Sequence, residues 1–596
     1  MKQKEEKQRE YKVRKKRTQD EESPNLLRTI VRVLLFSVVP VILFYLMEAF
    51  EHNAFEEVRS LAQVYNIFLF ELIAWGLFFI MGSGRVALWT ETGIALVYGL
   101  VNHYVMAFRS TPFVPWDIFS IGTAASVAGN YDFTPTKELL LVVAGFGVVA
   151  VAICFIKLKF PYGMFLRVIP TFCVGLVLCT FVNLLWDEDF QLDSYLYPYL
   201  FTPAHMTKVN GMAVTFAMDM AYIYVDKPDG YSVDKAQEIL AEYEDDVIEN
   251  REDYPNIIVI MNEAFSDLSV LGDFETNEDY MPFIHQMQKG FINTVTGDLT
   301  VSVCGGNTAN TEFEFLTGHT MDYFPIGSIP YQQYITGELP SLASWLKEHG
   351  YTTHGLHPYN STGWKRNEVY PLLGFDKSYF VHDFKGRTYL RNYVDDKSAY
   401  AKIVELYKNK EEGTPLFAFE VTMQNHGGYT DTYENFTSDI VAEGLNSKAL
   451  NQYLSLLKVS DAEFKDLVAY FSREEEKTVI VFFGDHQPSD SVVRPILKKN
   501  GVNTSDMTEE EAMLRYQVPY VIWANFDIKE ETNADTDISF LGAELLERVG
   551  MSKTAYQKFL LELEEVLAQN DVEKQENYLE KYQILQYYFM FDYEEN

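Results

Sequence analysis

Apolar residues dominate positions 27–186, then give way to short apolar runs set among polar, acidic and aromatic residues. Five stretches of the first part are long enough to cross a bilayer as helices, which takes roughly 20 apolar residues. They run from Leu27 to Phe50, Tyr65 to Met81, Val86 to Met106, Leu139 to Ile156 and Val168 to Leu185. Five in succession with little interior charge predict a transmembrane bundle over 27–186 rather than buried helices of a soluble core. From 256 onward the pattern changes. Candidate strands at 256–262, 351–356, 415–422, 477–484 and 518–524 alternate with helical stretches such as Ser341 to His349 and Asn451 to Phe471. That alternation predicts an α/β domain over 251–596 with a mostly parallel central sheet covered on both faces. Residues 187–250 read as a linker with a helix near its end, and 555–596 as a helical, then aromatic and acidic tail that packs back on the domain.

Charge orients this layout. The arm 1–26 holds Lys12, Arg14, Lys15, Lys16 and Arg17, and the loop after the fourth stretch holds Lys157, Lys159 and Arg167. The loop after the first stretch carries Glu51, Glu56 and Glu57 against Arg59. The Lys/Arg bias predicts a cytoplasmic N-terminus, and five spans then put residues from 187 onward outside. The first apolar run is long and lacks a small-residue cleavage site, unlike a removable signal peptide. The loop Arg109 to Lys137, with Pro112, Phe113, Pro115, Trp116 and Phe119, reads as an interfacial anchor that supports a lipid substrate. A formal charge of −36 argues against nucleic acid as a partner. Cys304 is the one cysteine after residue 186, so the outer part holds no internal disulfide and is not a disulfide-stapled module.

The chemistry sits at the ends of two apolar runs. Glu263 ends the run that begins at Ile257, and Asp485-His486 end the run that begins at Val479. In an open α/β sheet, ligands gather at the carboxyl ends of the strands. Two carboxylates and an imidazole there make an N/O site for a divalent cation. Thr308, after Gly305-Gly306-Asn307, offers a hydroxyl that needs a metal or a base to become a nucleophile. The two glycines allow a tight turn and close approach to a ligand. Together these residues predict metal-assisted covalent catalysis on a phosphoryl group.

The segments from Asn256 to Glu263, from Gly305 to Phe313 and from Gly484 to His486 resemble those of the lipoteichoic acid synthase family, as do the order of the motifs and the spans ahead of them. That resemblance implies a membrane phosphoglycerol transferase with an alkaline-phosphatase/sulfatase-like extracellular domain. It implies Thr308 as nucleophile, with Glu263, Thr308, Asp485 and His486 holding Mn2+ or another divalent cation such as Mg2+ or Zn2+. The implied donor is phosphatidylglycerol, and the acceptor a lipoteichoic-acid-type polymer, glycolipid or other cell-surface polysaccharide. The implied location is a bacterial cell membrane. The segment from His357 to Arg366 resembles the family's substrate segment, so His357, Trp364 and Arg366 are expected at the glycerol phosphate, joined by His426 of Asn425-His426-Gly427-Gly428. Arg suits that place because its planar fork matches phosphate oxygens. Tyr359, Gly363 and Asp490 depart from the polymerising synthases, which have an acid, an aromatic and a second His there. These departures are expected to surround the substrate pocket and bear on the acceptor. Cys304 lacks the following Pro and Arg of a formylglycine sulfatase. The competing readings are a phosphoethanolamine transferase, another hydrolase of the superfamily, or a catalytically silent assembly partner.

Overall fold

The computed structural model describes residues 26–109, 112–120, 133–161, 163–197, 203–223, 225–247, 254–325, 328–502 and 507–593. The basic arm lies outside them. The chain divides into two compact units. One holds the described residues up to Met106 with those of Thr134–Ala221, and the other those of Ala107–Phe133 with those of Tyr222–Asn596.

In the first unit, helices stand at all five expected places: α1 (Leu26–Glu48), α2 (Ser60–Met81), α3 (Gly84–Arg109), α4 (Lys137–Ile153) and α5 (Val168–Leu185). Among the described residues, three segments, Leu27–Glu48, Ser60–Met81 and Phe165–Leu185, are long and apolar enough to cross a membrane. The five-span expectation is met only in part. α3 is long but carries Arg85, Glu91, His103 and Arg109, and α4 has 17 residues. The residues expected to be linker are not featureless. Helices at Pro203–Asn210 and Met212–Asp219 belong to the first unit. They are held by buried polar groups of the bundle: Asn66 donates to the Asn210 carbonyl at 2.7 Å and accepts from Val214 N–H, and Glu48 accepts from Met212 N–H at 2.7 Å. Buried amides need such partners, which is why these short helices dock where they do.

The second unit is built on one sheet. Its main strands are β1 (Asn256–Asn262), β2 (Thr294–Thr300), β3 (Thr352–His357), β4 (Lys377–Phe380), β5 (Leu416–Val421), β6 (Thr478–Gly484) and β7 (Gln517–Ala524). They lie in the order β2-β7-β6-β1-β5-β3-β4, with short strands at Glu531–Thr532 and Thr536–Asp537 on the outer side of β2. β6, β1, β5, β3 and β4 are mutually parallel, and β7 runs against both its neighbours. The mostly parallel α/β sheet expected from the sequence is present. Every residue of β1, β5 and β6 is buried, as strands covered on both faces must be. Alternate residues of β1 serve opposite cores. Ile258 and Ile260 meet the helix Lys448–Phe471, while Ile257, Val259 and Met261 meet a cluster that includes α6 (Thr308–Thr317). The tail forms helices Ala555–Leu567 and Val572–Tyr587, whose Phe559, Leu563, Tyr582 and Leu585 pack with Phe540 and Ala543.

Candidate active site

β1 and β6 pair in register, with Asn262 opposite Gly484, so the residues that follow each strand emerge together at its carboxyl end. Gly484 makes the close passage possible, because a Cβ there would stand 1.8 Å from the Phe265 carbonyl oxygen. Ala264 N–H donates to Asp485 Oδ1 at 2.7 Å, and Glu263 N–H donates to Thr422 Oγ1 at 3.1 Å. These bonds fix the end of β1 against those of β6 and β5. Ligand atoms of Glu263, Asp485 and His486 lie within 4.8 Å of one another, and all three residues are buried.

This cluster fits a cation. Asp485 Oδ2 and His486 Nε2 lie 3.2 Å apart, yet neither has a hydrogen-bond partner among the described residues. Leaving such groups buried and unmatched is costly. His486 Nδ1 donates to the Gln487 carbonyl at 2.9 Å, so Nε2 keeps its lone pair. Burial, with the Asp485 carboxylate beside it, holds Glu263 well above the usual carboxylate range. A divalent cation relieves all three conditions at once, and two carboxylates with one imidazole suit Mn2+, Mg2+ or Zn2+.

Thr308 opens α6 at the same edge. The turn before it has three successive positive φ angles, 72° at Gly305, 157° at Gly306 and 65° at Asn307. The turn is pinned on both sides of Thr308: Gly305 N–H donates to the Gln487 carbonyl at 2.9 Å, and Thr311 Oγ1 donates to the Asp485 carbonyl at 2.7 Å. Thr308, itself buried, therefore follows a turn bonded directly to the segment that carries Asp485 and His486. The free amides of the α6 N-terminus favour an anionic group at this place.

The expected substrate residues form a second, partly different arrangement. Arg366 is fully buried and already engaged. Its Nε and Nη2 donate to both oxygens of Glu312, and its Nη1 meets His357 Nε2 at 3.1 Å. Tyr370 Oη donates to Glu312 Oε2 at 2.8 Å. Glu312 lies four residues beyond Thr308 on α6, one turn along the same face. His357 donates through Nδ1 to the Val421 carbonyl at 2.9 Å, leaving Nε2 as the acceptor for Arg366. Burial and the Arg366 charge pull His357 well below the ordinary histidine range. Arg366 is thus anchored to α6 instead of offering an open fork. Trp364 is half-buried at φ 55° and is followed by Lys365 at φ 56°, two adjacent non-glycine residues in the left-handed region. Its side chain packs against the apolar cluster on the α6 side of the sheet. His426 lies on another loop, with Nδ1 3.0 Å from Tyr393 Oη, and burial with Arg391 and His486 nearby pulls it down to about 3.

Several partners carried no motif. Arg391 holds the carbonyls of Gln424, His426 and Gly427, with Tyr393, Tyr429 and Tyr433 around its guanidinium. Tyr359, a departure from the polymerising synthases, has its ring 6.2 Å from His357 and 6.3 Å from Tyr393, at the expected pocket. Asp490, expected at the same pocket, pairs with Arg515. Its Oδ1 accepts from Arg515 Nη1 at 2.6 Å, because a buried guanidinium there needs a counter-ion.

Comparison with known proteins agrees with this architecture. The sulfatase family model matches residues 255–551. A putative cyclic beta-1,2-glucan modification protein of Rhizobium meliloti is 30% identical over 61% of this chain and 56% of its own. Lipoteichoic acid synthase 1 of Bacillus subtilis is 23% identical over 44% of this chain and 42% of its own. The chain thus spans about half the length of these curated relatives. A solved structure of the Streptococcus pyogenes phosphoglycerol transferase GacH, in complex with sn-glycerol-1-phosphate, aligns with a TM-score of 0.51 at 23% identity. It covers 61% of this chain and 94% of that one, and it shows a shared fold.

Proposed function

We propose that this chain, which belongs to the lipoteichoic-acid-synthase-like sulfatase family, transfers glycerol phosphate from phosphatidylglycerol to a cell-surface glycan through Thr308. The observation that carries this reading is the bonding of the Thr308 turn to the segment bearing Asp485 and His486, with their unmatched Oδ2 and Nε2 beside Glu263. Glu263, Asp485 and His486, with the Thr308 hydroxyl, would hold a divalent cation such as Mn2+. When bound, that ion lowers the pKa of a coordinated hydroxyl and polarises a phosphoryl oxygen.

Thr308 Oγ attacks the phosphorus of the donor and gives up its proton. The bond from phosphorus to the diacylglycerol oxygen breaks, and diacylglycerol leaves after taking up a proton. An acceptor hydroxyl then attacks the same phosphorus, the bond to Thr308 breaks and the free hydroxyl returns. The α6 N-terminus supports the negative charge on the phosphoryl group throughout. Arg366, fixed by Glu312, supplies a positive charge on the substrate side, and His426 offers a neutral imidazole to the incoming or leaving oxygen.

The test is release of diacylglycerol by the full-length protein in detergent, from labelled phosphatidylglycerol and phosphatidylethanolamine in parallel. Cleavage of phosphatidylglycerol alone, lost on chelation and restored by Mn2+, is expected. Preference for phosphatidylethanolamine would move the chain to the phosphoethanolamine transferases, and no cleavage of either lipid would favour a silent partner. For location we propose the catalytic unit outside the cell. A reporter active only in the cytoplasm should be silent when fused after Asn596, and activity there would remove the orientation read from Lys and Arg.

A further inference from the structure

Arg515, just before β7, has no part in the chemistry above, yet both catalytic loops converge on it. Those loops meet through backbone. Cys304 and Gln487 form a parallel bridge, and Gly305 N–H donates to the Gln487 carbonyl at 2.9 Å. The same carbonyl accepts from His486 Nδ1 at 2.9 Å. One oxygen therefore seats the turn that leads into Thr308 and also fixes the His486 tautomer whose Nε2 faces the cation position. What holds that oxygen is the buried Gln487 side chain. Its amide nitrogen donates to the carbonyls of Leu514 and Gln517 at 2.7 and 2.9 Å, and its amide oxygen accepts from Arg515 Nε at 3.1 Å.

The rest of the guanidinium reaches both loops. Nη1 donates to Asp490 Oδ1 at 2.6 Å, and Nη2 donates to the Pro488 carbonyl and to Cys304 Sγ, each at 2.9 Å. Arg515 is only 6% exposed, so these contacts are its solvation. A planar fork with fixed donor directions sets the spacing of the groups it binds, which a flexible ammonium does not.

We infer that Arg515 is the positioning residue that sets the nucleophile turn against the cation ligands. This rests on the transferase reading above. The guanidinium bonds Cys304, four residues before Thr308, and Gln487, Pro488 and Asp490, immediately after His486. Asp490, where the polymerising synthases carry a His, serves as counter-ion to this clamp. Partners that orient a metal ligand from behind typically change metal affinity or activity by about 10- to 100-fold when removed.

The test uses the full-length protein in detergent, with Mn2+ binding measured by calorimetry alongside donor turnover. Arg515→Met keeps much of the side-chain bulk and removes every donor. It should raise the Kd for Mn2+ about ten-fold or more and lower kcat at saturating Mn2+ by at least as much. The KM for phosphatidylglycerol should stay within about two-fold, because Glu312, Arg366 and His357 are untouched. Asp490→Asn keeps an acceptor but loses the charge, and should shift Mn2+ affinity in the same direction by less. Mn2+ affinity equal to wild type in Arg515→Met, or a rise in KM alone, overturns the inference. If Arg515→Met does not fold, unchanged Mn2+ affinity in Asp490→Asn overturns it instead. A wild-type protein that binds Mn2+ but cleaves no lipid would refute the transferase reading and leave the Mn2+ comparison decisive for Arg515.

Discussion

Thr308→Ala should reduce release of diacylglycerol by about 10^4-fold or more, the scale seen when a covalent nucleophile is removed. The loss should fall on kcat, because the substitution deletes one hydroxyl and leaves the network around Glu312 intact. Folding should survive it. The bonds that seat the turn run from Gly305 N–H and Thr311 Oγ1, not from the Thr308 side chain, so a stability change within about 1 kcal/mol is expected. Mn2+ should still bind, since Glu263, Asp485 and His486 remain. Thr308→Ser keeps the hydroxyl but loses the β-branch that restricts χ1, so partial activity is expected. In wild type, donor given without acceptor should leave one glycerol phosphate on the peptide that contains Thr308, seen by mass spectrometry. Normal turnover by Thr308→Ala would rule out covalent catalysis through this residue.

Much of this arrangement was legible because its elements are extreme cases. β1, β5 and β6 are buried on both faces, so they appear in the chain as continuous apolar runs, and the residues that end them fall at the sheet's carboxyl edge. β2 was not legible. Its sequence, Thr-Val-Thr-Gly-Asp-Leu-Thr, is mostly polar because it lies toward the sheet's edge, paired with β7 and with the short strands 531–532 and 536–537. Gly297 marks the crossing of the chain between those two strands, since a Cβ there would stand 2.3 Å from the Ala534 carbonyl oxygen. In the site, strand ends pointed to Glu263, Asp485 and His486, whereas Glu312 looked like an ordinary helical acid. Its role depends on Arg366, 54 residues away, and no local spacing encodes that pairing. Arg515 was hidden for the same reason, as its partners come from two loops and neither carries a charge pattern that names it.

The pair Glu312–Arg366 is where structure and chemistry can be separated. Arg366→Ala leaves the Glu312 carboxylate buried with Tyr370 Oη as its remaining side-chain partner from this network. Breaking a buried ion pair from one side typically costs about 3–5 kcal/mol, so a large fall in unfolding temperature is expected together with loss of transfer. Arg366→Lys should recover little, because an ammonium cannot bond both Glu312 oxygens and His357 Nε2 in one plane. The informative variant is the double one, Glu312→Gln with Arg366→Met. Both charges are then gone, and replacing a buried pair with uncharged groups of similar volume is often close to neutral. Stability should therefore return most of the way to wild type. Transfer should not return, and should stay down about ten-fold or more, if the Arg366 charge acts on the phosphoryl oxygens, since charge-assisted hydrogen bonds contribute roughly 1.5–3 kcal/mol each. Recovery of both stability and transfer in the double variant would mean that Arg366 only holds the Thr308 helix in place, and that the positive charge on the donor side comes from elsewhere.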